Sequence, residues 1–287
     1  MKDRIVTVAG LFGRRFTGRQ KTAFLNYIIA QAELESIPAV LDVGRDSRSG
    51  ACRNLYLGNM KRASLLIAVP YDTPSRLFWP DTRYFPLNPG RNMRRDSGEM
   101  AARLLLGAAA AGGYLFLVLL PAVHLGGPAV WAAAAGMAAV AALVLRLIAG
   151  IPNRRNHARN SAGIVAALEY QRRFGGGAAV ALLDQSCCSY NGYRQLAEYL
   201  GGTAQNKRII VLDCATSGPE LHVHCGQPLE KRLEKAVRGA EVHGLEASQL
   251  DRTMMKLFPK GILITGGVPG TRGDGHRGHP LRPGRRH

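Results

Sequence analysis

Ala179-Val180-Ala181-Leu182-Leu183-Asp184-Gln185-Ser186-Cys187-Cys188-Ser189-Tyr190-Asn191-Gly192 joins an apolar run, a polar loop and the start of a helix in one stretch. Ala179 to Leu183 has no polar face, as expected of a strand buried on both sides. Tyr190 to Leu200 reads as a helix, stopped by Gly201-Gly202. Upstream, Ser161 to Phe174 is an amphipathic helix ended by Gly175-Gly176-Gly177, and Leu55-Tyr56-Leu57 and Leu65 to Val69 read as strands, the second bounded by Pro70. Residues 17–35 carry Ala23, Phe24, Tyr27, Ile28 and Ala30 at helical spacing, with Thr17 as N-cap. Downstream, Arg208 to Leu212, Leu221 to Cys225 and Gly261 to Thr265 read as strands, and Leu229 to Ala240 and Ala247 to Leu257 as charged helices. Strands alternating with helices predict an α/β fold with a mixed, largely parallel sheet.

Two uncharged runs interrupt this pattern. Leu104 to Leu125 is long enough to cross a hydrocarbon core of roughly 30 Å as a helix. Gly126-Gly127-Pro128 makes a turn, and Ala129 to Leu145 is again uncharged. Arg91, Arg94, Arg95 and Arg103 precede the pair, and Arg146, Arg154, Arg155 and Arg159 follow it. The positive-inside rule then puts both flanks, and the globular domain, in the cytoplasm. The expected organisation is a discontinuous α/β domain over 1–102 and 150–267, a two-helix transmembrane hairpin over 103–149, and a basic disordered tail over 268–287. Two helices of a buried core are the alternative for the hairpin. The tail, rich in Gly, Arg, Pro and His, reads either as a basic anchor or as a shifted frame with no selected role.

The formal charge of +18 over 287 residues points to a polyanionic neighbour such as a lipid headgroup. The opening Met1-Lys2-Asp3-Arg4-Ile5-Val6 is charged and strand-like rather than an export signal, and five cysteines then point to a reducing compartment. No Gly-x-x-x-x-Gly-Lys phosphate loop and no Gly-x-Ser-x-Gly elbow is present. The Lys231, Arg232, Lys235 and Arg238 helix alternates with Glu230 and Glu234 and lacks interleaved aromatics, so nucleic acid is not an expected partner.

Val69-Pro70-Tyr71-Asp72-Thr73-Pro74, Asn156-His157-Ala158-Arg159-Asn160-Ser161-Ala162-Gly163 and Asp184 to Gly192, in this order and spacing, resemble the metal loops of the co-catalytic zinc exopeptidases. This is a zinc-dependent aminopeptidase family. Phe12 to Lys21 and Cys52 to Gly58 add to the likeness, which spans 12–267. It includes the hairpin, as in a bacterial branch of that family. The resemblance implies a three-layer exopeptidase-like fold. It also implies two zinc ions sharing a water, held by about five His and carboxylate ligands beside a glutamate base. Here the ligand positions are degenerate. Pro70 stands at the histidine ligand, Arg159 at the bridging aspartate, Ser186 at the general base and Cys187 at the glutamate ligand. Asp213, in Val211-Leu212-Asp213, matches the strand-end ligand, and Asp72 the carboxylate that orients the site from behind the ligands. His276, His279 and His287 lie in the tail, without the family's sequence around its last histidine.

These residues predict a membrane-anchored aminopeptidase-like protein without catalysis, and no residue stands out as catalytic. The expected role is binding or scaffolding near Asp72, Arg159 and Asp213, with membrane lipid and a peptide or protein ligand as partners. No cofactor is expected unless the protein is active. An active aminopeptidase would need a rearranged zinc site, built from Cys187, Asp213 and a histidine; His222 and His224 share a strand face. A basic binder of anionic surfaces is the third reading.

Overall fold

The computed structural model describes residues 2–44, 50–76, 85–152, 160–186, 189–216 and 220–266. The chain opens with α1 (Lys2–Ile5), continued by a π-helical stretch Val6–Leu11, then α2 (Gly18–Leu34), β1 (Ala39–Gly44), β2 (Cys52–Leu57), β3 (Leu65–Pro70) and β4 (Ser75–Arg76). α3 (Pro89–Tyr114) runs through π-helical Leu115–Leu119 into α4 (Leu120–Leu125), followed by α5 (Pro128–Ala149) and β5 (Ile151–Pro152). Next come α6 (Ala162–Phe174), β6 (Ala178–Leu183), α7 (Asn191–Leu200), β7 (Ile209–Leu212) and β8 (Leu221–Gly226). α8 (Gln227–Ala236), β9 (Glu241–Leu245), α9 (Ala247–Leu250), a 3-10 turn Met254–Leu257 and β10 (Ile262–Gly266) complete it.

Eight strands form one mixed sheet in the order β1-β2-β6-β3-β7-β10-β8-β9. The central β6, β3, β7 and β10 are mutually parallel, and β9 runs parallel to β8. The remaining pairs are antiparallel. Side chains alternate across each strand, so every strand feeds two cores. On one face Leu66, Ala68, Ala181, Leu183, Val211 and Leu263 pack with Tyr193, Leu196 and Leu200 of α7 and with Met254, Met255 and Phe258. On the other, Ile67, Val69, Val180 and Leu182 meet Phe24 and Ile28 of α2 and Ile164 and Val165 of α6. Each such fully buried aliphatic side chain contributes about 1.5–3 kcal/mol of transfer free energy. The three-layer α/β architecture expected from the sequence is therefore present.

α2 begins as expected: Thr17 Oγ1 accepts from Gln20 N, and the Gln20 side chain accepts from Thr17 N, a reciprocal capping box. Other elements depart from the expectation. The opening residues are helical, because Arg4 pairs with Glu35 and with Glu169 (3.5 Å) while Val8 buries against α6. α8 stops at Ala236, since β-branched Val237 turns extended and Gly239 takes φ +79°. The expected helix over 247–257 breaks at Thr253, whose hydroxyl accepts from Met255 N and turns Met254 and Met255 into the core. β1 and β9, the two edge strands, were not expected at all.

A second compact unit takes in Met93–Ile151. Its helices, Pro89–Leu125 and Pro128–Ala149, are long and apolar enough to cross a membrane. Phe116, Leu117, Leu125, Trp131, Leu143 and Leu145 are exposed, whereas a buried core helix would cover them. The π-helical stretch precedes Pro121, which has no N–H for the Leu117 carbonyl; Leu120 N reaches Leu115 O instead. At Gly107 a Cβ would stand 2.9 Å from Val144 Cγ1, so a small residue lets the two helices close. The basic tail over 268–287 lies outside the described residues.

Candidate functional site at the carboxyl edge of the sheet

Because β6, β3, β7 and β10 are parallel, their carboxyl ends share one edge, where ligands of open α/β sheets bind. The loops leaving that edge carry Tyr71-Asp72-Thr73, Asp184-Gln185-Ser186 and Asp213-Cys214. Gln185 (φ 47°) and Cys214 (φ 56°) adopt left-handed backbone directly after the strand-end aspartates. For non-glycine residues this stores strain of about 1–3 kcal/mol each, and such strain clusters at functional sites.

A buried guanidinium organises the first loop. Arg15 is fully buried and donates to Tyr71 O (2.6 Å), Val8 O (3.0 Å), Phe12 O (2.5 Å), Asn160 Oδ1 (2.7 Å) and Ser161 Oγ (2.9 Å). Its charge also lies 5.1 Å from the Phe24 ring centre. Asn160 Nδ2 donates to Asp72 O (2.7 Å), and Arg15 N to Thr73 Oγ1 (2.9 Å). A fixed cation thus ties the amino-terminal segment, the loop after β3 and the start of α6 together. Sequence reasoning missed this role; the available signal was a second arginine inside an otherwise apolar Phe12–Phe16 segment.

Asp184 is almost fully buried. Its Oδ1 accepts from Lys21 Nζ (2.5 Å) and Gln185 N (2.8 Å), and its Oδ2 from Arg53 N (3.2 Å). Burial pushes its carboxyl above the usual aspartate value; Lys21 pulls it back down, and Asp72 adds a smaller upward push. Asp72 Oδ2 accepts from Ser186 N (3.1 Å), and Ser186 Oγ donates to Asp184 O (3.0 Å). Burial, aided by Asp184 and Asp72, pushes the neighbouring Cys52 thiol up to about 12, which keeps it protonated. A Cβ at Gly192 would collide with the Asp184 carbonyl, which explains the glycine in that loop.

Asp213 follows β7 and is buried. Its N donates to Ile264 O (3.2 Å), and Cys214 Sγ lies 3.6 Å from Asp213 Oδ1. Burial first, then the Asp213 charge, raises the Tyr190 phenol. Pro70 is the last residue of β3 and offers no ligand atom. Arg159 and Cys187 lie outside the described residues. The structure therefore brings Asp72, Asp184 and Ser186 together and sets Asp213 at the next parallel strand end.

At the positions the structure describes, the two-zinc centre implied by the family resemblance finds Asp213 but neither a ligand at Pro70 nor a carboxylate at Ser186. Ser186 turns its hydroxyl to backbone, and the neighbouring Asp184, which is not one of the ligand positions, pairs with Lys21. Among the described residues, the one place where three ligand atoms of different residues lie within 4.8 Å of one another is elsewhere, at His222, Glu241 and His243. Glu241 and His243 belong to the edge strand β9. The signal for them was the alternation Glu241-x-His243, which repeats that of His222-x-His224.

The sheet and its two helical layers make an α/β fold of the zinc-exopeptidase type. No family model matches the chain, and no curated protein matches it. Among solved structures it is similar to a Zn-dependent exopeptidase from Parabacteroides distasonis ATCC 8503, with 13% identity and TM-score 0.50 over 94% of this chain and 85% of that one. The Porphyromonas gingivalis glutaminyl cyclase gives 11% identity and TM-score 0.50 over 95% and 86%. That of Tannerella forsythia gives 10% and 0.50 over 94% and 83%. At these identities the likeness defines the fold.

Proposed function

We propose that the chain is a membrane-anchored protein of zinc-exopeptidase-like fold that binds at the carboxyl edge of its sheet without hydrolysing. The observation that carries this reading is at the described ligand and base positions, where Pro70 has no donor atom and Ser186 turns its hydroxyl to the Asp184 carbonyl. Ser186, at the general-base position, has neither a carboxylate nor a hydroxyl aimed outward. The ligand is a peptide or protein segment with a carboxylate, attracted by Arg159, whose planar guanidinium pairs with carboxylates bidentately. The globular domain lies on the cytoplasmic side, with the hairpin over 103–149 in lipid and the basic flanks against anionic headgroups.

Aminoacyl-amide hydrolysis by the detergent-purified full chain with added zinc tests the catalytic half. Turnover at the no-enzyme background is expected. Turnover that disappears in Asp213→Ala would instead establish an active aminopeptidase. For the anchor, alkaline carbonate should leave the protein in the membrane fraction, and Leu117→Arg, which costs about 2.5–3.5 kcal/mol of insertion free energy, should release a measurable share.

A further inference from the structure

The strands β8 and β9 lie side by side in parallel register, with His222 opposite Glu241 and His224 opposite His243. Paired residues point to the same face, so all four side chains share one side of the sheet. The register β10–β8 sets His224 opposite Leu263 and His222 opposite Thr265, which makes this the face that carries the Leu263 core. His222 Nδ1 is 3.1 Å from His243 Nε2 and 3.3 Å from Glu241 Oε2, and His243 Nε2 is 3.7 Å from the same oxygen. A tetrahedral zinc ion with bonds of about 2.0–2.1 Å needs its donors about 3.3–3.4 Å apart. The three separations bracket that spacing.

We propose that His222 Nδ1, His243 Nε2 and Glu241 Oε2 form a mononuclear site for a first-row transition-metal ion, zinc in the first instance, with its fourth position open to solvent. Two imidazoles and a carboxylate select such ions over magnesium and calcium, which demand all-oxygen shells. The donors sit on paired strands rather than loops, so their spacing is preorganised. Behind them His224 stacks on His243 with ring centres 5.1 Å apart and planes at 18°, and its Nε2 lies 3.1 Å from Thr265 Oγ1. That arrangement fixes the plane of the ligand ring. The way in is from the edge strand: the Glu241 side chain is 60% exposed and His243 26%, against 1% for His222.

The site is distinct from the strand-end cluster. Leu212 pairs with Ile264 and Thr265 with His222, so Asp213 is two strand spacings from His222, roughly 10 Å. Either proposal can fail and leave the other standing.

The test is equilibrium dialysis of zinc chloride against the chelator-treated, detergent-purified full chain, with magnesium chloride as control and cobalt(II) as a spectroscopic probe. One zinc per chain is expected, with tetrahedral cobalt bands and no thiolate charge-transfer band. His243→Ala should weaken binding by more than the roughly 10- to 100-fold that changes behind a ligand produce. Glu241→Gln, at an exposed position, should weaken it with the circular dichroism unchanged. A chain with His276, His279 and His287 all replaced by alanine should still bind. No zinc uptake, a thiolate band, undiminished binding by Glu241→Gln and His243→Ala, or loss with the tail histidines would each overturn the assignment.

Discussion

Two groups of polar side chains lie on this sheet, and they differ in the groups they bring together. At the ends of β3 and β6, carboxylates and carbonyls are matched by Arg15, Lys21 and backbone donors, all built into the domain. On β8 and β9, two imidazoles and a carboxylate converge on one another, each within 3.7 Å of the next. A metal ion competes with whatever already holds its ligands. The first cluster is closed by internal cations and so stabilises the fold; the second gathers three ligand atoms at metal spacing.

The largest effect expected from breaking this contrast is at Arg15. Arg15→Ala removes the donor from four buried acceptors and one part-buried one, and should destabilise the domain by about 3–5 kcal/mol, read from the urea midpoint, while zinc uptake on surviving folded protein stays. Gly192→Ala forces the loop away from the Asp184 carbonyl and should cost about 1–3 kcal/mol by the same measurement.

Lys21→Met sharpens the comparison through pH. The Asp184 pKa is raised by burial, so the protonated carboxyl is the form better tolerated in the fold. Its contribution is full below the unfolded value near 3.8 and is lost as pH rises through the raised folded value. Without Lys21 that value rises further, so the variant should lose more stability than the parent between mildly acid and neutral pH. In Asp184→Asn this pH dependence should vanish. The smallest effect is at Thr265: Thr265→Val removes the partner of His224 Nε2 and should cost about 0.5–1.5 kcal/mol, with a modest loss of zinc affinity.

The layered α/β fold was legible because buried parallel strands such as Ala178–Leu183 and Leu65–Pro70 are continuous apolar runs, and the loop after the first keeps Gly192, where a Cβ would strike the Asp184 carbonyl. The edge strands were not. β1 leaves Val40, Leu41 and Val43 exposed, and β9 is short, polar and follows a helix that ends without a strong stop. That second omission hid two of the three donors of the metal site, because His222 is in the core strand β8 while its two partners are on β9. The tie made by Arg15 was invisible for another reason: its partners Tyr71 and Asn160 are far away in the chain, and most are backbone carbonyls, which carry no residue signature.

Zinc K-edge X-ray absorption of the zinc-loaded full chain tests the central claim most directly. The account predicts a nitrogen and oxygen shell with the multiple scattering of two imidazoles, and no metal neighbour. A zinc–zinc vector at about 3.5–4 Å, the spacing of co-catalytic pairs, would place the metal back at the strand ends and contradict it.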